Sequence, residues 1–369
     1  MAEHIFKDML VLELASVLAG PSVGQFFAEL GAQVLKVENA ATRGDVTRNW
    51  KLASEPSGTD TPAYFCAANW GKASLALDLT QAAQLQQLYS LVQQADIVIA
   101  SYKPGDAEKL QVGYDTLKNI NPRLLYGHIT GYGPHDTRAG YDAVVQAESG
   151  FMYLNGEAGG PPVKMPVALM DILTAHQLKE GLLVALLQRE RTRQGQLVQV
   201  SLLQAAVSAL ANQATNYLVA GQEPQRMGSE HPNIVPYGSV YTGRCGKQLV
   251  LAIGDDRQFS RLCAILGAEE MALDPKYKTN AARVLHRQEV NEKLRQLIGR
   301  HGREELLQRL HAQHVPAGAV RTIPEVFALP QAQQMLLHCQ GARPGLRQVA
   351  FQLQGQENQA LTPPPSYQD

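Results

Sequence analysis

The residue best placed for chemistry is Asp171, a carboxylate set between the apolar residues of the segment 167–173. Leu178, Leu182 and Leu186 follow it at helical spacing, so Asp171 is predicted near the start of a helix. A carboxylate at that position commonly caps the free N–H groups of the first turn. It can also serve as a nucleophile in covalent catalysis. This segment alone leaves both roles open.

The composition describes an ordinary globular protein of 369 residues, with 45% hydrophobic and 18% charged residues. The net charge of −1 gives no electrostatic reason to expect nucleic acid or an anionic membrane as a partner. The amino terminus has no apolar signal core, and no apolar run approaches the ~20 residues needed to span a bilayer. A cytoplasmic protein is predicted. The four cysteines show no metal-type spacing, so no metal site is predicted: Cys66, Cys245, Cys263 and Cys339.

The elements that must position Asp171 alternate between strands and helices. Strands are predicted at 9–14, 34–38, 74–79, 96–102, 123–130 and 197–200. Helices are predicted at 21–31, 80–94, 107–120, 171–193 and 201–220. Strands joined by crossover helices predict an α/β fold with a doubly wound, parallel, Rossmann-like sheet. Such a sheet binds its ligand beyond the carboxyl ends of its strands.

A second, smaller α/β domain is predicted after the segment 221–236, which is rich in Gly, Pro, Asn and His. A strand at 249–253 and helices at 256–266, 288–300 and 304–314 follow it. The predicted domains are therefore 1–224, completed by about 326–369, and 225–325. Within the final segment, a strand is predicted at 347–353, and the polar, proline-rich end at 361–369 is predicted to be disordered.

A doubly wound fold first raises the alternative of a dinucleotide-dependent dehydrogenase. Its fingerprint would be a G-x-G-x-x-G turn directly after the first strand. The turn here has glycines at Gly20 and Gly24 with the wrong spacing, and Pro21 lacks the backbone N–H that a pyrophosphate would need. Glu38 does stand where a ribose-binding acid would, but without the glycine turn this match is weak. The dehydrogenase alternative is set aside.

A series of short motifs follows in order along residues 8–340. They are LAGP at 18–21, LGA at 30–32, LKVE at 35–38, GDVTR at 44–48, NWGK at 69–72, SYKPG at 101–105, GYD at 140–142, DPKYKTN at 274–280 and VPAG at 315–318. Together they resemble the class III CoA-transferases, the CaiB/BaiF family. The resemblance implies that Asp171 is the catalytic nucleophile and that two chains form an interlocked homodimer.

The resemblance also implies the chemistry. An enzyme of this class moves CoA from an acyl-CoA to a free carboxylic acid, with CoA as a substrate and no permanently bound cofactor. Asp171 would form an aspartyl anhydride and then an aspartyl–CoA thioester. Backbone N–H groups must stabilise the developing oxyanions, and Gly131, Gly133 and Gly140 would let the backbone approach closely.

The CoA contacts implied by the resemblance lie in four short segments of the first 110 residues. They are Leu18, Ala19, Leu77, Asp78, Leu79, Ser101, Tyr102, Lys103 and Lys109. Family members commonly carry a cation at the position of Asn39, which here lacks a charge. Arg43 and Arg48 lie close enough in sequence to replace it in binding a CoA phosphate.

Three further residues are predicted to contact the acyl or acid substrate: Tyr141, Asp142 and His231. Racemases of 2-methylacyl-CoA share the fold and would have a histidine at position 141. Tyr141 is a poor acid–base partner near neutral pH, which favours transfer over racemisation. A loop histidine such as His231 is also often merely structural.

The sequence motifs most resemble those of the family members that use succinyl-CoA and dicarboxylic acids. The predicted function is therefore CoA transfer from succinyl-CoA or a similar acyl-CoA to a carboxylic acid, with a dicarboxylate as the favoured acceptor. Two alternatives stay open: a 2-methylacyl-CoA racemase of the same fold, and a CoA-binding protein that has lost activity.

Overall fold

The computed structural model describes residues 4–341 and 343–368, which form two compact units. The larger unit comprises the residues up to Phe151, Lys164–Gly221 and the residues from Gln331 onward. The smaller unit comprises Met152–Val163 and Gln222–Pro330. This division differs from the sequence-based domain boundaries mainly at residues 152–163, a segment that is itself rich in Gly and Pro.

The larger unit is built on a six-stranded sheet whose strand order is β3-β2-β1-β4-β5-β6. Its strands are β1 (Leu10–Leu14), β2 (Gln33–Asn39), β3 (Lys72–Leu77), β4 (Ile97–Ala100), β5 (Leu125–Thr130) and β6 (Gln196–Ser201). Every neighbouring pair is parallel. The strand order reverses direction between β1 and β4, which is where such sheets bind ligands.

The helices of residues 19–220 differ widely in length. They are α1 (Ala19–Glu29), α2 (Ala63–Cys66), α3 (Ala82–Val92), α4 (Asp106–Lys109), α5 (Tyr114–Ile120), α6 (Asp142–Glu148), α7 (Phe151–Leu154), α8 (Leu169–Thr192), α9 (Leu202–Ser208) and α10 (Ala211–Ala220). Two short 3-10 helices, Ala40–Thr42 and Val46–Asn49, follow β2.

Apolar side chains cover both faces of the sheet, as a doubly wound parallel sheet requires. Val11 and Ile99 pack on one face against residues of α1, α8 and α9. Leu12 and Val98 pack on the other face against residues of α3 and α5. The predicted Rossmann-like architecture is confirmed.

Two helices predicted as continuous are interrupted. The predicted helix at 107–120 is two helices, α4 and α5, separated by Gln111 with a φ of +58°. The predicted helix at 201–220 is likewise divided into α9 and α10, where Ala211 has a φ of +47°. Neither left-handed residue is a glycine, and the sequence sign of a break was Gly113, the N-cap of α5, in the first of the two helices.

The smaller unit contains a three-stranded antiparallel sheet of order β7-β8-β9. Its elements are β7 (Tyr237–Thr242), β8 (Gln248–Ala252), α11 (Asp256–Leu266), α12 (Glu269–Leu273), α13 (Asn280–Leu285), α14 (Arg287–Ile298), α15 (Arg303–Ala312), β9 (Ala317–Ala319) and α16 (Ile323–Phe327). Asp255 caps α11 and Gly267 ends it in the left-handed conformation, so this helix has the predicted bounds.

The carboxyl-terminal segment contains α17 (Pro330–Gln333) and an antiparallel pair, β10 (Leu336–Leu337) with β11 (Gly345–Leu346). The strand predicted at 347–353 is absent. The prediction of disorder for 361–369 is wrong for its described residues: Leu361 is buried, and the Thr362 carbonyl accepts a 2.9 Å hydrogen bond from Gly71. The last residue of that prediction lies outside the described residues.

None of the helices formed by residues 4–341 and 343–368 is both long enough and apolar enough to cross a membrane.

Candidate active site

A cavity of about 190 Å³ opens at the carboxyl edge of the large sheet and contains Asp171 in its wall. Residues from the β1–α1 turn, the segment after β4, the end of β5 and the segment before α6 form the wall. They are Ser16, Val17, Ala19, Gly20, Ser101, Tyr102, Lys103, Pro104, Ile129, Thr130, Gly131, Arg138, Ala139, Gly140, Tyr141, Asp171 and Leu202. The sheet topology thus gathers segments that are far apart in sequence.

Asp171 is the third residue of α8 and only 9% exposed. The N-cap of that helix is Ala168, so the capping interpretation of Asp171 is wrong in its simple form. Across residues 4–341 and 343–368, the Asp171 carboxylate has no hydrogen-bond donor or ion-pair partner. Burial, and after it the neighbouring Asp142 carboxylate, raise the pKa of Asp171 to about 7. The carboxylate is therefore buried, poorly solvated and open to a ligand in the cavity.

Asp142 and Gln146, both on α6, hold the start of α8 in place. Asp142 Oδ1 accepts a 2.9 Å hydrogen bond from the backbone N–H of Met170. Gln146 Nε2 donates to Asp142 Oδ2 at 2.8 Å, and Gln146 Oε1 accepts from the backbone N–H of Met165 at 2.8 Å. Asp142 thus satisfies one of the free N–H groups of the helix that carries Asp171. Its contact with substrate remains a prediction; in the structure each of its oxygens accepts a hydrogen bond within the protein.

Gly131 and Gly140 bring two backbone segments of the cavity wall into direct contact. A Cβ added to Gly140 would lie 2.2 Å from the Gly131 Cα, and one added to Gly131 would lie 2.6 Å from the Gly140 Cα. Neither position has room for a side chain. The glycines therefore let the segment before α6, which carries Tyr141, lie directly against the end of β5. Gly133 has no such neighbour and a φ of +107°, which is typical of a turn.

A second cavity, of about 380 Å³, adjoins the first and shares Ser16, Ser101 and Tyr102 with it. The ends of β1 and β2 and the segment after β2 form the rest of its wall. They contribute Leu14, Ala15, Lys36, Val37, Glu38, Asn39, Thr42, Gly44, Asp45, Val46 and Asn49. The two cavities together follow the carboxyl edge of the sheet across the point where the strand order reverses.

Of the predicted CoA contacts, the structure brings Ala19, Ser101, Tyr102 and Lys103 to the cavity that contains Asp171. Tyr141, predicted to contact substrate, also lies in its wall and is 60% exposed. Burial raises the pKa of Tyr102 to about 12, so that phenol stays protonated near neutral pH. Lys103 is exposed and has no ion-pair partner among the described residues.

Other predicted contacts have roles in the fold. The Leu77 side chain is buried in the core, and Leu79 packs against the same cluster. Asp78 accepts hydrogen bonds from the N–H and hydroxyl of Thr80 at the turn before α3. Lys109 is paired with Asp106 at 3.0 Å, and its side chain is 78% exposed. Leu18 precedes α1 as its N-cap residue without lining either cavity.

Arg48 is the clearest departure from the predicted CoA site. Its side chain is 4% exposed, and its guanidinium forms a bidentate pair with Glu38 at 2.9 and 2.6 Å. The remaining N–H groups donate to the carbonyls of Asp60 and Pro365. Arg48 has no N–H left for a phosphate, and Glu38 has no free oxygen for a ribose. Arg43 is exposed with a φ of +56°.

His231 belongs to the smaller unit. Its Nδ1 accepts a hydrogen bond from the backbone N–H of Asn233 at 3.1 Å, and its ring packs edge-on against Tyr237 at 5.2 Å between centroids. Burial, and after it Arg287, lower the pKa of this imidazole. It is therefore neutral at pH 7. The contacts that surround it are those of a loop histidine that stabilises its own loop.

Sequence reasoning missed two residues near Asp171. Arg138 lines the cavity, pairs with Asp136 at 2.9 Å and Glu148 at 3.1 Å, and stacks 4.0 Å over the Tyr132 ring. Burial raises the pKa of the Tyr64 phenol, on α2, and the nearby charge of Asp171 raises it further. No local pattern marks Tyr64, since only the fold brings α2 to this edge.

Within the part of the chain that the structure describes, no cluster of three or more His, Cys, Asp or Glu side chains could hold a metal ion.

Known proteins match nearly the whole chain. The model of CoA-transferase family III matches residues 6–369. A succinate–glutarate CoA-transferase of Agrobacterium fabrum is 41% identical over 329 residues, which is 88% of this chain and 82% of the relative. A succinyl-CoA:glutarate CoA-transferase of Mus musculus is 34% identical over 88% of this chain and 74% of its own. The crystal structure of a CAIB/BAIF family protein from Brucella suis superposes with a TM-score of 0.83 at 39% identity, covering 97% of this chain and 94% of that one.

Proposed function

The chain belongs to CoA-transferase family III, and on that premise we propose that it moves CoA from succinyl-CoA, or a similar acyl-CoA, to a free dicarboxylic acid. The names of the Agrobacterium and mouse relatives support this choice of donor and acceptor. The observation that carries the proposal is the buried Asp171 carboxylate, which has no hydrogen-bond partner among the described residues and faces a cavity.

The proposed reaction begins with attack by an Asp171 oxygen on the carbonyl carbon of the donor thioester. The carbon–sulfur bond breaks, which leaves an aspartyl–acyl anhydride and CoA thiolate. The thiolate then attacks the Asp171 carbonyl carbon and expels the donor acid, so that CoA is held as an aspartyl thioester. The acceptor carboxylate attacks that thioester, and its carbon–sulfur bond breaks to give a new anhydride and CoA thiolate. The thiolate attacks the acceptor's acyl carbon and releases Asp171.

The environment of Asp171 suits each of these steps. Few water molecules reach a side chain that is 9% exposed, which protects an anhydride from hydrolysis. A carboxylate with a pKa of about 7 and no donors to stabilise its charge is also more nucleophilic than a solvated one. No general base is needed, because carboxylate and thiolate are already ionised when they attack.

The two adjoining cavities are the proposed CoA site. The acyl thioester would lie in the cavity of Asp171, beside Ala19 and Tyr102, and the rest of CoA would extend into the second cavity past Ser101. Lys103, in the wall of the cavity that contains Asp171, would supply positive charge for a phosphate or for the distal carboxylate of the acid. The remaining predicted contacts line neither cavity and stay predictions: Leu18, Leu77, Asp78, Leu79, Arg43 and Lys109.

A homodimer is also part of the proposal. The larger unit exposes large apolar side chains on α8 and α10, which is unusual for a surface that meets only water. They include Val184, Leu187, Tyr217, Leu218 and Val219. Light scattering at micromolar concentration should give twice the mass of 40.2 kDa. A monomer under those conditions would rule out a stable dimer.

A cytoplasmic location completes the proposal. All four cysteines are free thiols, which a reducing compartment would maintain. Fractionation of cells that produce the protein, with marker enzymes for each compartment, tests this point directly.

The function is tested by mass spectrometry of the products formed from a panel of acyl-CoA donors and carboxylic acids. We expect succinyl-CoA with a dicarboxylate such as glutarate to give the acceptor's CoA thioester and succinate. Monocarboxylates of the same length should react more slowly, because they lack the distal charge. No transfer with any pair would contradict the proposed function and favour a CoA-binding protein without activity.

A further inference from the structure

Four charged side chains are buried together under the turn that joins β1 to α1. They are Glu13 on β1, Lys36 on β2, Lys72 on β3, and Asp45 in the segment after β2, and we call them the buried ion cluster. With both lysines protonated, the charges of the cluster balance, although burial lowers the pKa of Lys72 to about 8. Burying four charges is costly unless every one of them is paired and hydrogen-bonded.

Each ammonium group in the cluster has three partners. Lys36 Nζ lies 2.9 Å from both Glu13 Oε1 and Asp45 Oδ2, and it donates to the Ala15 carbonyl at 2.8 Å. Burial acts to lower the pKa of Lys36, but the two carboxylates outweigh it and raise the pKa to about 12. Lys36 is therefore charged at any pH at which the protein would work.

Lys72 completes the other half of the buried ion cluster. Its Nζ lies 2.6 Å from Glu13 Oε2 and donates to the carbonyl of Pro21 and to Asn69 Oδ1, each at 2.9 Å. The fit is close: a Cβ added to Gly24 of α1 would lie 1.9 Å from Glu13 Oε2. Helix α1 therefore sits directly on the cluster.

The cluster holds three backbone groups of one short segment. The carbonyls of Ala15 and Pro21 accept from the two lysines, and the N–H of Val17 donates to both oxygens of Asp45 at 3.3 Å. Asp45 is itself held by the N–H and hydroxyl of Thr47 at 3.0 and 2.8 Å. No other part of the turn between β1 and α1 has comparable support.

Val17 needs that support because its backbone is strained. Its φ is +72°, in the left-handed region that β-branched residues rarely adopt. Such a conformation persists only where the surrounding contacts impose it. Ser16, Val17, Ala19 and Gly20 all lie in the wall of the cavity that contains Asp171.

The strained turn ends at the start of α1, where Ala19 and Gly20 are the first two helical residues. Their N–H groups have no partner within the helix. Both residues lie in the wall of the cavity that contains Asp171, directly after the strained Val17.

We propose that the buried ion cluster is a positioning device for catalysis, which imposes the left-handed conformation of Val17 and so fixes the Ala19 and Gly20 N–H groups where the oxyanion of the reacting carbonyl develops. The inference rests on the proposed function, since it assigns the cluster to the reaction at Asp171. Asp45 is the positioning residue of the device, because it contacts the strained residue itself. A turn displaced by about 1 Å would reduce turnover by as much as ~100-fold.

The first test is Asp45→Asn, which keeps the size of the side chain but removes the charge that faces Lys36. We expect kcat for CoA transfer to fall about tenfold or more, with a smaller rise in KM for acyl-CoA because Asp45 also lies in the wall of the second cavity. Asp96→Asn is the matched control. It breaks a partly buried ion pair of the larger unit, Arg189 with Asp96 at 3.1 Å, which does not involve the β1–α1 turn. Its kcat should equal that of the wild type.

The second test is a double-mutant cycle with Val17→Gly. Glycine adopts a positive φ without strain, so a protein with Gly at position 17 should depend much less on Asp45. Asp45→Asn should therefore reduce kcat at least threefold less in the Val17→Gly background than in the wild type. Equal fold-losses in the two backgrounds would contradict the proposal, because Asp45 would then act independently of Val17.

Should Asp45→Asn fail to fold, Thr47→Ala provides the milder variant, since it removes one hydrogen bond from Asp45 and no charge. Like Asp45→Asn, it should lower kcat, and the fall in kcat should be smaller in the Val17→Gly background. Full activity of Thr47→Ala, with a cycle that shows no coupling, would overturn the proposal. A wild-type enzyme with no transferase activity would instead overturn the proposed function, so the two failures are distinguishable.

Discussion

Asp45 and Asp171 are both buried aspartates of the larger unit, and the pKa of one is lowered while that of the other is raised. Burial acts on both in the same direction. At Asp45, Lys36 and the hydrogen bonds from Lys36 and Thr47 outweigh burial. At Asp171, Asp142 adds a second negative charge and no described group donates a hydrogen bond. Burial with full pairing makes a structural group, whereas burial without pairing leaves a reactive one.

The largest difference between Asp45 and Asp171 should appear when Asp171 is replaced. Asp171→Asn keeps the shape of the side chain but removes the nucleophile, so transfer should fall by about 1,000-fold or more. Binding of CoA, measured by calorimetry, should stay within a few-fold of the wild type. If the variant kept more than about a tenth of wild-type turnover, Asp171 would not be the nucleophile.

The two aspartates should also affect stability in opposite directions. The folded-state pKa of Asp171 is raised to about 7, so wild-type stability falls as pH rises from about 4 through 7. Asp171→Asn removes that cost, and we expect it to stabilise the protein by about 1–3 kcal/mol at pH 8 and very little at pH 4. Asp45→Asn should destabilise by about 2 kcal/mol or more at pH 8.

Chemical denaturation of the three proteins at pH 4 and pH 8 measures these differences. Asp96→Asn serves again as a control, because its ion pair with Arg189 is partly buried and distant in sequence from both aspartates. If Asp171→Asn were the less stable protein at pH 8, the Asp171 carboxylate would have stabilising partners that contradict its unpaired state.

The pH dependence of transfer gives a third contrast. Asp171 must be ionised to attack, so kcat/KM should fall about tenfold per pH unit below a pKa of about 7. Asp45→Asn should leave that apparent pKa unchanged even where it lowers the rate. Measuring CoA binding over the same pH range separates ionisation of Asp171 from ionisation of the substrate. A rate that is constant between pH 5 and 8 would contradict the raised pKa.

The smallest expected effect concerns two lysines that the sequence predicted as equivalent CoA contacts. Lys103 lies in the cavity wall, whereas Lys109 is paired with Asp106 and mostly exposed. Lys103→Ala should raise KM for acyl-CoA about tenfold with a smaller change in kcat, and Lys109→Ala should raise it less than about threefold. Equal effects of both substitutions would mean that CoA reaches well beyond the two cavities.

What the sequence could predict follows from how local each feature is. The parallel sheet was predictable because each buried strand and each amphipathic helix shows its own periodicity. Asp171 was predictable because it is an acid between apolar residues and because the series of short motifs resembles a family with a nucleophilic aspartate at that position. The roles of Arg48 and Glu38 were not, since their pairing depends on how the segment after β2 folds back. The positive φ of Val17 has no sequence signal, because the residue is not a glycine and its hydrogen bonds to Asp45 exist only in the fold.

Asp142 shows the same limit within the site itself. It was predicted only as a substrate contact, and its hydrogen bonds to Met170 and Gln146 could not be inferred from spacing. The ordered carboxyl-terminal tail is a similar case: its composition is typical of disorder, yet Leu361 is buried against Trp70. Polar and proline-rich segments are ordered when the fold supplies partners for their backbone.

The central claim, that Asp171 carries CoA covalently, can be tested by trapping the intermediate. The enzyme is incubated with succinyl-CoA without an acceptor acid, treated with hydroxylamine or borohydride, digested and analysed by mass spectrometry. We predict modification of the peptide that contains Asp171, with loss of activity, and no modification of Asp45 or of an Asp171→Asn protein. Transfer that proceeds with Asp171 unmodified, or deuterium exchange at the α-carbon of a 2-methylacyl-CoA without any trapped thioester, would contradict the account.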